Sequence, residues 1–197
     1  MGCILEEDSN QNVNIFIGNT YEEYYSKLSK STRQNIRTAY NRMNKDGLDY
    51  KFDFIINKPL GKEKLSQIID IYCERHSSRY NVKTSKLKKF YLKHFDFSTK
   101  CQQKYKNIYC LLYINDKIAA FMSGLINEKD ESVIIPRLSI VEDFYRYSPG
   151  IVLINETAKK FEKFPSLNNL DLSKGNETYK TVMGGIVYET KNFIVKG

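Results

Sequence analysis

The turn Ser148-Pro149-Gly150 directly precedes a stretch with helical periodicity, an arrangement that is typical of an anion-binding site. Proline suits the first turn of a helix because its missing N–H would have no partner there, and glycine lets a ligand approach the backbone closely. The free amides and the positive end of the helix dipole would then hold a pyrophosphate without a charged side chain. The same residues also fit an ordinary helix start after a turn.

A second candidate is Asp171, which lies between Leu170 and Leu172 in a short stretch that otherwise resembles a buried strand. Charged residues are rarely buried without a partner or a function, so we expect this carboxylate to point into a cleft. Its alternative role is a hydrogen bond to the neighbouring loop at Gly175.

Hydrophobic periodicity predicts the elements that place these residues, and together they form a mixed α/β sheet. Helical patterns run from Thr20 to a glycine stop at Gly47, and recur over residues 65–73, 87–95, 151–164 and 177–183. Apolar alternation or apolar runs predict strands over residues 48–56, 108–114, 118–126, 133–141, 169–172 and 186–195. We expect the helices over residues 65–73 and 87–95 to pack on one sheet face, residues 1–18 to be a polar N-terminal extension, and residues 19–197 to be the domain.

Composition narrows the class of protein only broadly. The net charge of +8 favours anionic partners, which include nucleic acid, acidic lipid and nucleotide cofactors, but acidic residues are interspersed with the basic ones. No apolar stretch is long enough to span a bilayer, and the N-terminus does not resemble a secretory signal. The cysteines show neither CxxC pairs nor a nearby histidine at ligand spacing, which argues against a zinc site or a disulfide framework and favours a reducing cytoplasm: Cys3, Cys73, Cys101 and Cys110.

The Ser-Pro-Gly turn, the strand with Asp171 and the run Gly175-Asn176-Glu177-Thr178-Tyr179-Lys180 follow one another in an order that resembles the GNAT acetyltransferase superfamily. More narrowly, the sequence is similar to the branch associated with bacterial cellulose and capsular polysaccharide synthesis, whose relatives include Fem-like aminoacyltransferases. Residues 29–37 resemble the Arg-rich helix that opens this domain. The resemblance therefore covers roughly Thr20 to Lys196.

The resemblance implies a GNAT fold, in which a mixed central sheet has a splayed strand pair and flanking helices. Acetyl-coenzyme A or another acyl-coenzyme A would lie between the strands over residues 118–126 and 133–141, with no metal. The cofactor-binding residues that it implies are Leu138, Ile140, Val141, Arg146, Ser148, Gly150, Ile151 and Asn176. The family's usual phosphate loop carries small residues where this chain has Pro149 and Ile151, so an aminoacyl-tRNA or acyl-carrier donor stays open.

Transfer of an acyl group to an amine needs a base for the amine proton, donors for the oxyanion and an acid for the leaving thiolate. The resemblance implies Tyr179 as the acid, and alternatively this ring packs the short helix on the sheet. Lys180 would contact phosphate or substrate, or else lie on the surface. Asp171 would orient the amine or Tyr179, while Glu142 and Asp143 are the other candidates for the base.

We therefore expect a cytoplasmic N-acyltransferase that uses acyl-coenzyme A, with an amino sugar or cell-envelope polysaccharide precursor as acceptor. A nucleic-acid-binding module built on Arg33, Arg37 and Arg42 is an alternative from a different functional class. Two observations argue against it: Arg42 is rotated away from the helix face that Arg33 and Arg37 share, and no second helix follows in a helix-turn-helix arrangement. His76 and His94 lack a Ser or Cys partner at a suggestive spacing, so we expect them to be structural. A catalytically silent lobe, a homodimer and the second lobe of a two-lobe protein also fit.

Overall fold

The computed structural model describes residues 3–80, 83–94, 106–175 and 177–196. Seven strands form one mixed sheet in the order β2-β3-β4-β5-β6-β1-β7, in which β5 and β6 are parallel and all other neighbours are antiparallel. The strands are β1 (Cys3–Phe16), β2 (Tyr50–Ile56), β3 (Lys106–Ile114), β4 (Lys117–Asn127), β5 (Ser132–Ile140), β6 (Asn169–Lys174) and β7 (Gly185–Lys196). This confirms the predicted α/β class.

Helices cover both faces of the sheet. They are α1 (Tyr21–Lys27), α2 (Lys30–Lys45), α3 (Lys62–Tyr80), α4 (Thr84–His94), α5 (Pro149–Phe161) and α6 (Thr178–Val182), with a 3₁₀ helix over Glu142–Tyr147. On one face α1, α2 and α5 pack on the larger apolar core. On the other face α3 and α4 pack together on β3 and β4, which confirms that these two helices share one side of the sheet. None of the described helices combines the length and apolar content needed to cross a membrane.

The single helix predicted from Thr20 to Lys45 is two helices in the structure. The chain is extended at Leu28, and the Ser29 side chain then caps α2 by accepting a hydrogen bond from the amide of Thr32. The guanidinium of Arg33 donates to the carbonyls of Ser26 and Leu28, which satisfies acceptors at the end of α1. A second serine cap inside the helical pattern is therefore what divides it.

Residues 1–18, which were expected to be a polar extension, contain β1. This strand lies between β6 and β7, with Asn14 opposite both Asp171 and Ile186. Its last part alternates apolar and polar residues, and Val13 and Ile15 are fully buried in the core. The signal was short and followed a polar run, which is why the sequence did not indicate a strand.

The strands β5 and β6 pair only where both begin, over Ser132–Ile134 and Asn169–Asp171. Beyond Ile134, β5 continues to Ile140 while it pairs with β4 alone. The predicted splay between residues 118–126 and 133–141 is therefore wrong, because β4 and β5 remain paired through a bulge near Leu125. The splayed pair is β5 and β6, and Pro136, which has no N–H, lies just past the last paired residue.

Substitution of Ile15 by Ala should lower the free energy of unfolding by about 2–5 kcal/mol, because it leaves a cavity in the core. Ile15 is 0% exposed, whereas its neighbour Phe16 is 50% exposed on the other face of β1. Phe16→Ala is the matched control and should change the stability by less than about 1 kcal/mol. Equal midpoints for the two variants in urea denaturation would contradict the placement of β1 in the sheet.

Candidate functional site

A cavity of about 260 Å³ opens where β5 and β6 separate, and we call it the splay cavity. Residues of β5 form one side of the cavity, which is mainly apolar. The end of β6 and α6 form the opposite side, and one face of α3 borders the cavity as well. The residues that line it are Ile135, Pro136 and Leu138 from β5, Leu172, Lys174, Gly175, Glu177, Tyr179 and Lys180 from the β6–α6 segment, and Tyr72, Arg75 and His76 from α3. The splay thus brings together segments from three distant parts of the chain.

Lys180 is 3% exposed, and its ammonium is held at the end of β6. Its Nζ donates to the carbonyls of Leu172, Lys174 and Gly175 at 3.1, 2.9 and 3.1 Å, and lies 3.0 Å from Oε2 of Glu177. Burial lowers the pKa of this ammonium, although the Glu177 carboxylate partly offsets the effect. The predicted contact of Lys180 with phosphate or substrate is not formed by this geometry, because all three N–H donors face protein oxygens.

Glu177 folds back over Gly175, whose φ is +102°. A Cβ on Gly175 would lie 2.5 Å from the Glu177 carboxylate, so no larger residue fits there without displacing it. Burial alone would raise the pKa of this carboxyl, but the hydrogen bond from its own amide and the Lys180 ammonium together lower the pKa. On its other side, Oε1 lies 4.0 Å from the guanidinium of Arg75 on α3.

Tyr179 lies against the start of α5. A Cβ placed on Gly150 would be 2.6 Å from Cδ1 of Ile140 and 3.5 Å from Cδ2 of Tyr179. The Ser-Pro-Gly turn and the Tyr-Lys segment, about thirty residues apart in the sequence, are therefore in contact. Tyr179 packs on the apolar core and also lines the splay cavity. The ring therefore packs the short helix on the sheet and at the same time borders the candidate site.

The start of α5 is more closed than the sequence predicts. Ser148 has left-handed backbone angles, and its carbonyl accepts from the amides of Ile151 and Val152 at 3.0 and 3.2 Å. Pro149 has no N–H, and both Pro149 and Gly150 are buried. Within the described residues, the Gly150 amide is the one at this helix start that has no backbone acceptor. One amide therefore remains for an anion where several were expected.

A larger cavity of about 810 Å³ lies beyond the splay, along the last residues of β5, and we call it the acidic cavity. Its charged lining residues provide four carboxylates and one guanidinium, from Glu74, Glu142, Asp143, Glu177 and Arg75. Glu142 and Asp143 were candidates for the base. Arg75 and Glu177 line both cavities, so their ion pair forms the boundary between the two.

Asp171 lies on the other side of β6 and lines neither of these cavities. It faces a third space of about 410 Å³, the open-face cavity, together with Asn14 and Tyr188. Its Oδ1 accepts from the amide of Ser173 at 2.7 Å, and its Oδ2 accepts from the hydroxyl of Tyr188. Burial, with this hydrogen bond, raises the pKa of Tyr188. The structure therefore does not bring Asp171 together with Tyr179.

The residues implied as cofactor-binding lie in different places. Leu138 lines the splay cavity, Ile140 and Val141 line the acidic cavity, and Ser148, Gly150 and Ile151 form the start of α5. Arg146 is exposed and forms an ion pair with Asp46 at 3.3 Å, while its carbonyl accepts from Arg42. Asn176 lies outside the described residues.

Three residues of the site were not predicted as functional. Arg75 and the ring of His76 come from α3, whose sequence showed only a helical apolar stripe, so no signal pointed to them. His76 was expected to be structural; it stacks on Tyr72 with ring centroids 4.3 Å apart and also borders the splay cavity. Glu177 was inside the quoted run, and only its position over Gly175 shows its place in the site.

Comparisons with known proteins agree on the fold. A family model described as an acetyltransferase (GNAT) domain matches residues 30–181. Solved structures that resemble the chain include a conserved protein of unknown function from Bacteroides thetaiotaomicron, with a TM-score of 0.60, 14% identity, and coverage of 96% of this chain and 62% of that one. No curated protein sequence matches the chain.

Two further solved structures also resemble the chain. The C-terminal domain of a candidate lysylphosphatidylglycerol synthetase from Agrobacterium fabrum has a TM-score of 0.59 at 13% identity, with 94% of this chain and 60% of that one covered. FemX has a TM-score of 0.55 at 7% identity, with 93% of this chain and 61% of that one covered. The chain thus spans about 60% of the length of these structures.

Substitution of Lys180 by Met should lower the free energy of unfolding by about 3 kcal/mol, because it leaves three carbonyls and a carboxylate buried without their donor. Lys174→Met is the matched control: it removes an exposed ammonium from the end of β6 and should cost less than about 0.5 kcal/mol. Denaturant unfolding measures both. A Lys180→Met protein as stable as the wild type would show that the ammonium does not hold the end of β6.

Proposed function

Because this chain belongs to the GNAT acetyltransferase family, we propose that it transfers an acyl group from acetyl-coenzyme A or another acyl-coenzyme A to an amine. The expected acceptor is an amino sugar or a similar precursor of a cell-envelope polysaccharide. The observation that carries the proposal is the separation of β5 from β6, which opens beside Gly150 at the start of α5 and beside the ring of Tyr179.

The residues along β5 fit the arm of a coenzyme A thioester. Past Ile134 the edge of β5 that faces β6 has no strand partner in the described part of the chain, so its backbone groups remain available for the amides of an extended ligand. Leu138 gives the arm an apolar wall. The positive end of the α5 dipole and the Gly150 amide would then face the phosphates. When bound, the coenzyme supplies an activated acyl group on sulfur.

Tyr179 is the residue that we assign to the leaving group. The amine nitrogen forms a bond to the acyl carbon, the carbon–sulfur bond breaks, and the thiolate takes the phenol proton of Tyr179. The amine must lose a proton in the same reaction, and we assign Glu142 or Asp143, which line the acidic cavity, to receive it directly or through water. Lys180 acts as a positioning residue, since it fixes the segment that carries Tyr179.

The acidic cavity supports an amine as the acceptor. Four carboxylates around about 810 Å³ create a local negative potential in a chain whose net charge is +8. An ammonium group is attracted there and loses its proton only when it reaches the base. The ion pair of Arg75 and Glu177 lies where this acceptor space meets the splay cavity, so the amine would reach the donor past these two side chains.

A different donor, such as an aminoacyl-tRNA in a Fem-like reaction, is the second candidate. It is favoured by the closed start of α5, where Pro149 has no N–H and the amides of Ile151 and Val152 already bind the Ser148 carbonyl. A coenzyme would have to bind with fewer amides than a glycine-rich loop provides. Two of the three arginines considered for nucleic-acid binding already have partners in the protein, because Arg33 and Arg42 donate to backbone carbonyls.

The activity of the whole protein is also a proposal, because the chain spans about 60% of the length of the structures that it resembles. We include in the proposal a homodimer or a second GNAT lobe as the partner of this domain. We place the reaction in the cytoplasm, consistent with the buried free thiols of Cys73 and Cys110.

Acetyl-coenzyme A at about tenfold its dissociation constant should raise the thermal midpoint by about 3–5 °C, because a ligand that binds only the folded state stabilises it. Differential scanning fluorimetry at fixed ionic strength measures the shift. Inorganic pyrophosphate at the same concentration is the control for attraction of any anion to a basic protein, and it should give a smaller shift. No shift with millimolar acetyl-coenzyme A would count against this donor and favour the second candidate.

Substitution of Tyr179 by Phe should lower kcat by about 10²-fold or more while it changes coenzyme binding little, because only the proton donor is removed. Single-turnover kinetics with a model amine and a parallel thermal-shift titration measure the two effects. Tyr50→Phe, on the remote strand β2, is the matched control and should leave kcat unchanged. Unchanged turnover in Tyr179→Phe would remove this residue from the chemistry.

A further inference from the structure

One half of a sheet face has no helix over it in the part of the chain that the structure describes. On this side α3 and α4 cover β3 and β4, whereas β6, β1 and β7 lie beyond them. Phe16 and Ile186 point out from this area, and Ile186 is 69% exposed. The open-face cavity of about 410 Å³ lies here, within the range of about 300–1,000 Å³ that is usual for small-molecule sites.

The register of the strands arranges the floor of the cavity. Asn14 lies opposite Asp171 on one side and opposite Ile186 on the other, so these three side chains form a row across β6, β1 and β7. Ser132 and Asn169 are paired in the neighbouring row at the start of β5 and β6. Side chains in one row of a sheet share a face, so this set is fixed by the backbone.

Several polar groups of the cavity are already oriented. The carboxylate of Asp171 is held by the amide of Ser173 and by the hydroxyl of Tyr188. The Asn14 amide donates to Oδ1 of Asn169 at 3.2 Å. Fixed acceptors and donors on a rigid sheet lose little freedom when a ligand binds, which favours recognition of hydroxyl groups.

The charge of the cavity selects the ligand further. Among the described residues that line it, Asp130 and Asp171 are anionic and none is Lys, Arg or His. A phosphate group would therefore be repelled, whereas an ammonium would be attracted. Tyr188, which is 36% exposed, and Ile186 add an apolar surface for the C–H face of a ring.

We propose that the open-face cavity binds an amino sugar, with its ammonium between Asp130 and Asp171, its hydroxyls on Asn14, Asn169 and Ser132, and its ring on Tyr188. This saccharide does not react, because β6 separates it from the splay cavity, which Leu172 and Lys174 line from the other side. The site would hold a neighbouring unit of a longer glycan. The proposal does not rest on acyl transfer, since binding here needs neither a donor nor Tyr179.

Titration of ¹⁵N-labelled protein with glucosamine tests the proposal, with no acyl donor present. Glucosamine should shift the amide resonances of β1, β6 and β7, with saturation in the millimolar range, and neutral glucose should bind at least about fivefold more weakly. Asp171→Asn should weaken glucosamine binding by at least about fivefold, because it removes one charged acceptor while Tyr188 keeps an oxygen partner. Asp116→Asn makes the same change in an exposed turn of the β3–β4 hairpin and should bind like the wild type.

Three results of the titration would overturn the proposal. They are no resonance shifts at 50 mM (about the upper limit for a meaningful weak site), shifts confined to the splay or acidic cavity, and equal affinities for wild type and Asp171→Asn at equal thermal midpoints. Sedimentation that shows a dimer closed over Ile186 would also overturn it, since a second copy would then cover the site. Each of these leaves the coenzyme thermal shift unchanged, so failure here is distinguishable from failure of the proposed function.

Discussion

Two parallel strands that separate inside a sheet leave backbone groups without partners, and the arrangement of this site depends on how those groups are satisfied. On the β6 side, the buried ammonium of Lys180 satisfies these groups, because it donates hydrogen bonds to the carbonyls of Leu172, Lys174 and Gly175. On the β5 side the residues beyond Ile134 pair with β4, but their edge that faces β6 has no strand partner among the described residues. One edge of the splay is therefore closed by the protein, and the other has unpaired backbone groups.

The same interaction explains the spacing of the Gly-x-x-x-Tyr-Lys run. Gly175 must lack a side chain because the Glu177 carboxylate lies where its Cβ would be, and Glu177 in turn neutralises Lys180. Lys180 then points back to β6 while the preceding residue, Tyr179, points to Gly150 on α5. Adjacent residues of one short helix thus join the two ends of the splay, and a shift of one residue would break both contacts.

Much of this architecture could be predicted from the sequence, and what could not was decided by long-range pairing. Strong local patterns identified the β3–β4 hairpin, β5 and α5, whose bounds agree with the structure to within a few residues. The strand β1 carries only a short apolar alternation around Val13 and Ile15, so its position depends on partners far away in the chain. Asp171 was predicted from the sequence to lie near Tyr179, but its register with Asn14 places it at a different cavity. Lys180 could not be recognised as buried, because its partners are backbone carbonyls that carry no sequence signal.

The position of β1 has a consequence for how the protein is made. The first strand of the chain ends up between the two strands that are synthesised last, so β1 leaves the ribosome well before either of its neighbours exists. Long-range pairing of this kind slows folding, and the nascent chain can aggregate through β1 while this strand is still unpaired. Because β6 carries a wall of the splay and pairs with β1, this part of the sheet can be completed only after β1 has met both β6 and β7.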